Sequence, residues 1–421
     1  MESLKKLEKS KNYPILISTI KEKVFKDKRI LEDHYVKRWL GKRFRNIFIQ
    51  EMTKDEKAID VATQKKLIGV DERSVKEKLA TRFLKEEGPD EWNLEMPEPS
   101  SVSVSKDLTL LFCPGLLSGL LPVMAFKEEF PIIEEEFGIR ILQSDSHPVR
   151  SCDANSIDIL NAIEKGKGLK SDATPVPKAD ELPTKDLIVL AYSKGMPDLL
   201  HTILKKPNIA KRIRCIVNWA GAPGGSYLAN SLLGVLDGIQ IGVSIPEEFG
   251  KVLHLLSPVI EIPEHIKRLA EYDIQGAVKD LNTHRRAEFL EEHSKFFRSL
   301  QIPVFNITGA TTALEVPYYQ LQGLLELNKY DANNDMQVIQ RHSRFHSPLS
   351  VDLSVMHAHH WDMSYGQFPA RLKFGSLNLD HPFPRLAALR AVLKFLGELG
   401  FLEKKRNVPV IKKKVISKKK R

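Results

Sequence analysis

The chain has few cysteines. Among its 421 residues only Cys113, Cys152 and Cys215 occur. An odd and sparse set of this kind excludes a disulfide framework. Cys113 and Cys215 lie in apolar runs typical of buried strands, where a thiol packs as a small hydrophobic group. Cys152 has no neighbouring base, so we predict that none of the three is catalytic.

The sequence also lacks a long apolar run. No stretch approaches the roughly 20 apolar residues that a membrane-spanning helix needs. The early apolar run from Tyr13 to Ile20 is short and flanked by lysines, unlike a secretory signal. These features predict a cytoplasmic protein, and they leave peripheral contact with an anionic membrane surface open.

Charge and composition describe a globular protein with a basic end. Hydrophobic residues make up 42% and charged residues 28%, which excludes disorder of the whole chain. The net charge is +10, and seven of the last ten residues are Lys or Arg. Such a tail is usually solvated, although it can bind nucleic acid or an anionic membrane. Zinc-finger spacing and RNP-like motifs are both missing, so no nucleic-acid partner is expected.

The first hundred residues have a helical pattern. Apolar side chains recur at helical spacing in two segments. They are Val36, Trp39, Leu40, Phe44 and Ile47, followed by Val75, Leu79 and Phe83. The Pro/Ser cluster at 96–101 is typical of a linker. We therefore predict an N-terminal helical extension over residues 1–100.

From Leu108 onwards, short apolar runs alternate with helical stretches such as Ser156–Lys165 and Met196–Lys205. Runs bounded by turn residues indicate strands buried on both faces of a parallel sheet. The runs are Leu108–Cys113, Ile139–Leu142, Leu187–Ala191, Cys215–Ala220 and Pro303–Ile307. The alternation predicts an α/β core of mostly parallel sheet flanked by helices, formed by 101–226 and 301–400.

One connection is unusually long. About eighty residues separate Ala220 from Pro303, too many for a structureless loop. They contain apolar, glycine-broken material and then charged helical stretches. We predict a helical cap or lid over 227–300, and we assign 401–421 to the basic C-terminal tail.

The strand at 187–191 runs directly into Tyr192-Ser193-Lys194-Gly195 and then into a helix. In such a tight turn the residues two before and two after the serine approach closely, so both must be small. Here they are Ala191 and Gly195. The turn would expose the Ser193 hydroxyl and direct the positive end of the helix towards it. We predict that Ser193 is a nucleophile; the alternative is an ordinary turn that contains a serine.

This segment resembles the nucleophile elbow of α/β-hydrolases. The resemblance extends from Leu108 to about Leu399 and is to the bacterial lipase and esterase branch. The segment from Trp219 to Ser226 resembles the Gly-x-Pro-x-x-Gly-Ser stretch of those lipases, although it is one residue shorter. The stretch from Val149 to Ile163 is similar to the one that precedes their elbow.

The family order of Ser, acid and then His implies the remaining catalytic residues. The Asn-Asp-x-x-Val pattern selects Asp335, with Asp331 in reserve, after a helix expected at Tyr318–Asn328. His360, which precedes Trp361, is the expected base. His359 is its reserve, and His381, before Pro382, is expected in a turn.

The resemblance also implies an oxyanion hole. The donors would be the backbone N–H groups of Leu116, after the Pro114-Gly115 turn, and of Lys194. Two such donors contribute roughly 3 kcal/mol each to stabilising a tetrahedral intermediate. A plain strand-to-loop turn at Gly115 is the alternative.

Together these features predict a serine esterase or lipase that forms an acyl-enzyme, needs no cofactor and acts on an acyl ester or lipid-like substrate. A metal site at His357, His359 and His360 is an alternative, but no ligands stand at a recognised spacing. A thioesterase, amidase or acyltransferase on the same scaffold stays open. So does an inactive hydrolase fold that acts as a binding or scaffold protein.

Overall fold

The computed structural model describes residues 1–64, 71–85, 92–101, 103–237, 271–368 and 383–404. Several sequence predictions concern residues outside these ranges. They are the turn at His381, the middle of the proposed cap at 238–270, and all but the first four residues of the basic tail.

The described residues form a seven-stranded sheet. The strands are β1 (Leu84–Lys85), β2 (Leu108–Cys113), β3 (Arg140–Gln143), β4 (Asp186–Tyr192), β5 (Ile213–Trp219), β6 (Val304–Ala310) and β7 (Ser350–His357). Their order in the sheet is β1-β7-β6-β5-β4-β2-β3. All neighbouring strands run parallel except the two-residue β1, which pairs antiparallel with β7 at the edge. The predicted mostly parallel α/β sheet is confirmed.

Burial explains why the strands were recognisable in the sequence. Every residue of β2, β5 and β6 is buried, so these strands appear as continuous apolar runs. The predicted ends differ from the observed ones by at most three residues. Strand β7 was not predicted, because Asp352 is exposed and serines interrupt its apolar pattern.

Helices cover both faces of the sheet. The first nine are α1 (Glu2–Lys9), α2 (Tyr13–Lys26), α3 (His34–Met52), α4 (Glu56–Thr63), α5 (Val75–Phe83), α6 (Glu129–Phe137), α7 (Cys152–Lys165), α8 (Gly195–Lys205) and α9 (Tyr227–Asp237). The others are α10 (Ile274–Lys279), α11 (Thr283–Glu292), α12 (Ser294–Ser299), α13 (Leu321–Asn328), α14 (Gln340–Ser343) and α15 (Arg385–Glu398). The helix expected at 318–328 is a 3₁₀ turn, Tyr318–Gln320, that continues into α13.

The N-terminal helices share the hydrophobic core of the sheet. Helix α3 packs against β7 and α15, and the Phe44 ring meets the Phe395 ring edge to face at 5.8 Å. Buried Arg43 forms an ion pair with Glu398 of α15. Met96, in the predicted linker, is also buried, so residues 1–101 pack on the sheet as far as they are described.

The described part of the proposed cap packs beside α8. Phe297 of α12 lies with Ile203 of α8 in a second hydrophobic cluster. Arg286 of α11 is buried and donates from Nε to the carbonyl of Pro223, 2.9 Å away. Residues 271–300 therefore dock on the flank of the core.

Within the described ranges, every helix is too short or too polar to cross a bilayer.

Candidate active site

Ser193 occupies a strained turn between β4 and α8. Its φ is +53°, a left-handed conformation that is uncommon for a residue with a side chain. A Cβ on Gly195 would lie 2.1 Å from the carbonyl oxygen of Cys113, so only glycine fits there. This close approach is the physical reason for a small residue two positions after the serine. The atoms nearest to that Cβ belong to Cys113 and Pro114, so the approach seen at Gly195 is to the end of β2, and the predicted approach to Ala191 stays a prediction.

His360 connects Ser193 to a buried carboxylate. The Nε2 atom of His360 lies 2.9 Å from Oγ of Ser193, and its Nδ1 lies 2.7 Å from Oδ2 of Asp335. His360 follows β7 and Asp335 follows β6 and α13, so the loops after three strands supply the three side chains. The structure thus brings together the three side chains selected from the sequence.

The loop around Asp335 holds its carboxylate in place. Oδ1 accepts hydrogen bonds from the backbone N–H groups of Gln337, at 3.0 Å, and Val338, at 2.7 Å. The N–H of His360 donates to the Asp335 carbonyl at 2.9 Å, which fixes the two loops against each other. The carboxylate is fully buried and keeps Oδ2 for His360.

The reserve residues have other partners. Asp331 accepts from the N–H of Asn333 at 2.9 Å and so closes a local turn. Nε2 of His359 lies 3.2 Å from Oδ1 of Asp362. Nε2 of His357 lies 2.7 Å from Oε2 of Glu315. In the described part of the chain, no group of three or more His, Cys, Asp or Glu side chains is arranged to hold a metal ion.

Tyr192 positions the His360 loop, and sequence reasoning missed it. Its hydroxyl donates to the carbonyl of His360 at 3.0 Å, and the two rings lie 5.0 Å apart. Burial raises the pKa of Tyr192 well above its ordinary value, so the hydroxyl remains a donor. Its place in the elbow motif gave no indication of this contact.

The two proposed oxyanion donors lie on either side of the Ser193 turn. A Cβ on Gly115 would lie only 2.7 Å from Cβ of Ser193, which shows how closely the loop that carries Leu116 approaches the serine. Within the described residues, neither the Leu116 N–H nor the Lys194 N–H donates to another protein group. Both amides are therefore available to an external acceptor.

The Lys194 side chain belongs to a buried polar network. Its Nζ lies 2.5 Å from Oδ1 of Asp198, and Oδ2 of Asp198 accepts from Nδ2 of Asn155 at 3.0 Å. Burial is the largest single effect and lowers the pKa of Lys194, but the attraction and hydrogen bond of Asp198, together with the attraction of Cys152 and Asp280, outweigh it, so the pKa of Lys194 is raised. Lys194 thus remains a buried cation.

This network reaches the loop of the other donor. Oδ1 of Asn155 accepts from the N–H of His147 at 3.1 Å. Pro148 follows His147 in the chain, and its carbonyl accepts a hydrogen bond from the N–H of Leu117 at 2.9 Å. A continuous set of contacts therefore links Lys194 to the residue after Leu116.

The three cysteines are buried thiols. Burial raises the pKa of Cys215 to about 12, and it also raises the pKa values of Cys113 and Cys152 well above the ordinary value of a thiol. A thiol must ionise to act as a nucleophile, so these pKa shifts oppose such a role.

Comparison with solved structures identifies the fold. The metagenomic carboxyl esterase MGS0156 superposes with a TM-score of 0.57 at 20% identity, covering 85% of this chain and 91% of that chain. The Bacillus licheniformis lipase BlEst2 in mature form covers 63% of this chain and 88% of its own, at 16% identity and a TM-score of 0.40. Carboxylesterase CesB of Bacillus subtilis covers 82% and 98%, at 13% identity and a TM-score of 0.26.

No family model and no curated protein sequence matches this chain. The likeness to MGS0156 nevertheless shows the fold, since it extends over most of both chains. The chain has the α/β-hydrolase fold that the sequence resemblance predicted.

Proposed function

We propose that this α/β-hydrolase chain is a serine hydrolase of carboxylic esters, with Ser193 as nucleophile, His360 as base and Asp335 as the partner of the base. The observation that carries the proposal is the continuous contact from Ser193 Oγ through both nitrogens of His360 to the buried carboxylate of Asp335. A serine activated by an oriented imidazole is the arrangement that acyl transfer requires.

The geometry supports a two-step reaction. His360 Nε2 takes the hydroxyl proton as Ser193 Oγ attacks the ester carbonyl, and Asp335 stabilises the imidazolium. The N–H groups of Leu116 and Lys194 would hold the oxyanion. His360 then returns the proton to the departing alcohol, which leaves an acyl-Ser193. Water attacks this ester with His360 again as base, which releases the carboxylic acid and restores Ser193.

The ester class is favoured over other acyl compounds by one comparison. MGS0156, which shares the fold over most of both chains, is a carboxyl esterase. We carry this activity to the present chain as part of the proposal. Thioesters and amides pass through the same tetrahedral chemistry, so they belong in the first substrate panel.

The test compares wild-type protein with Ser193→Ala on p-nitrophenyl esters from acetate to palmitate, alongside a thioester and an anilide. Loss of the nucleophile is expected to lower kcat by at least about 10⁴-fold. Unchanged thermal melting of the variant would show that only the chemistry was lost. The chain length with the highest kcat/KM separates an esterase from a lipase.

A fluorophosphonate probe decides whether the site is competent when no substrate in the panel is turned over. Labelling of Ser193 in the wild type, and none in Ser193→Ala, would support the proposal. Absence of both turnover and labelling would contradict it and favour the inactive scaffold.

We also propose that the substrate is amphiphilic and that the protein meets it at an anionic lipid surface. The supporting observation is the net charge of +10. Binding to anionic vesicles is then expected at low salt and should weaken as ionic strength rises. Activity confined to short, water-soluble esters, together with no vesicle binding, would contradict this.

A further inference from the structure

A cavity of about 660 Å³ opens at the end of the sheet opposite Ser193. It lies where β5 begins at Ile213, next to Ile302 just before β6, and against α2. Ile213 pairs with Leu187 near the start of β4, whereas Ser193 follows the other end of that strand. Six residues of extended chain place the two sites roughly 20 Å apart. The cavity is therefore separate from the proposed active site.

Apolar side chains from four segments form most of the cavity wall. They are Val24, Phe25, Ala210, Ile213, Leu300, Ile302, Leu399 and Phe401. Most of them also belong to the hydrophobic clusters or pack against them, so the wall is held by the core of the protein. A wall of this kind favours an apolar chain over a polar or multiply charged ligand.

The charged side chains that line the cavity are mostly cationic. Five cations and two carboxylates contribute, which gives the lining a net charge of +3. They are Lys21, Lys28, Lys211, Arg214 and Lys404 against Glu22 and Glu403. This balance favours a ligand with a negative head group.

The cations are held in different ways. Lys21 forms an ion pair with Glu403. Lys28 Nζ donates to the carbonyls of Arg214 and Gln301, both at 3.3 Å, and so lies within the wall. Lys211 is exposed at the rim, and the described part of the chain places no carboxylate within ion-pair distance of it. Lys211 is thus positioned to meet an incoming anion.

Buried Arg214 makes the cavity a built feature of the fold. It donates from Nη2 to Asp186 at 2.8 Å and from Nη1 to the carbonyl of Phe401 at 2.8 Å. Its Nε is buried and has no hydrogen-bond partner among the described groups. The guanidinium therefore fixes the Phe401 wall segment to β5, while Asp186 balances its charge, so the uncompensated positive charge of the lining comes from the lysines.

We propose that this cavity binds the anion of a long-chain fatty acid. The volume is in the range of roughly 300–1,000 Å³ of small-molecule sites. The apolar walls suit the alkyl chain, and the net positive lining suits a single carboxylate. A neutral or cationic amphiphile of equal length would gain the same burial but lack the charge attraction. The proposal stands independently of catalysis at Ser193.

The experiment titrates dodecanoate, tetradecanoate and hexadecanoate, below their micelle concentrations, into the full chain that carries Ser193→Ala. This background removes turnover from the measurement. Each buried methylene is expected to tighten binding roughly fourfold until the cavity is filled. Dodecyltrimethylammonium is expected to bind at least about tenfold more weakly than dodecanoate. Equal binding of the two ions would overturn the proposal.

Two variants locate the binding. Ala210→Trp fills the cavity, and Lys211→Glu reverses the rim charge without touching the core. Each should weaken dodecanoate binding at least about fivefold, whereas Lys178→Glu, at an exposed turn elsewhere, should not. If Ala210→Trp fails to fold, Lys211→Glu decides alone. Dodecanoate binding that is unchanged in the folded variants would overturn the proposal, whatever the esterase assays show. The proposal would also be overturned if Lys211→Glu abolished binding to anionic vesicles while neither the Ser193→Ala background nor its variants bound free fatty acid.

Discussion

The Nζ atom of Lys194 lies 2.5 Å from Oδ1 of Asp198, one turn later on α8, and both side chains are buried. The residue whose amide is a proposed oxyanion donor is thus anchored by its own side chain. Because Asn155 joins Asp198 to the loop before Leu117, the same contacts connect both proposed donors. We therefore expect the pair to affect both the stability of α8 and the placement of the two amides.

Asp198→Asn is therefore expected to be strongly destabilising. It removes the negative partner and leaves the Lys194 ammonium buried, at a cost of about 3–5 kcal/mol in the free energy of unfolding. Chemical denaturation measures this change. The matched control is Asp107→Asn, whose partner Lys185 is exposed, and its unfolding curve should be nearly unchanged. Equal curves for wild type and Asp198→Asn would contradict the prediction.

The double variant Lys194→Met with Asp198→Leu separates stability from positioning. An apolar pair should restore most of the unfolding free energy, because no charge remains buried. If the pair also positions the amides, kcat stays reduced while KM changes little. Full recovery of kcat would show that the pair contributes stability only.

Asp335→Asn is expected to lower kcat by about 10⁴-fold, because an amide no longer selects the required imidazole tautomer. The structure offers a matched control in Asp331→Asn, the same chemical change in the same loop. Asp331 contacts the Asn333 N–H, and its replacement should leave kcat/KM nearly unchanged. A larger loss for Asp331→Asn than for Asp335→Asn would reverse the two assignments.

The sequence predicted the sheet well because its central strands are buried on both faces. The run Leu108–Cys113 coincides with β2, and the ends of the other four differ by three residues or fewer. It could not assign β7, whose exposed Asp352 interrupts the apolar run. The amphipathic periodicity of α3 indicated a helix but not the element against which its apolar face packs. The packing of Phe44 on Phe395 was therefore seen only in the structure.

At the candidate site, chain order and local motifs identified the three side chains that the structure brings together. Two of the contacts that support them are long-range and had no sequence signal. Tyr192 donates to His360, and Asn155 reaches Asp198 across 43 residues of chain. The i,i+4 spacing of Lys194 and Asp198 was a readable signal, since such residues are neighbours on a helix.

Gly115→Ala is expected to impair catalysis more than folding. The added Cβ would lie 2.7 Å from Cβ of Ser193 and 3.2 Å from its Oγ, so the Ser193 side chain must move. A displacement near 1 Å costs roughly 10²-fold in kcat. Gly234→Ala in α9 is the control, because no described atom beyond the adjacent residues and the backbone of its own helix lies within 4 Å of the added Cβ. Unchanged kcat in Gly115→Ala would contradict the close approach.

Phe44→Ala tests whether the N-terminal helices belong to the cooperative core. The ring is fully buried between α3 and α15, so its removal should cost about 3–5 kcal/mol of unfolding free energy. Ile15→Ala on α2, where the side chain is half exposed, should cost far less. A separate N-terminal unit would instead give a second unfolding transition, with only that transition shifted.

His201 is expected to make the protein less stable at acidic pH. Its ring stacks on Phe289 at 4.1 Å, and Nε2 lies 3.1 Å from Nη1 of Arg286, an arrangement that needs a neutral imidazole. Burial, and then the Arg286 charge, lower the pKa of His201 from 6.5 to about 4. Asp280 acts in the opposite direction but does not offset them.

Between pH 6.5 and 4 the unfolded chain therefore binds a proton at His201 that the folded chain does not. The free energy of unfolding should fall as the pH is lowered through this window, by roughly 2–3 kcal/mol from this group. His201→Gln keeps an acceptor for Arg286 but does not titrate, so denaturation curves measured across this pH range should show a shallower pH slope. His284→Gln, an exposed histidine on α11, should retain the wild-type slope. An identical slope in wild type and His201→Gln would assign the acid sensitivity to other groups.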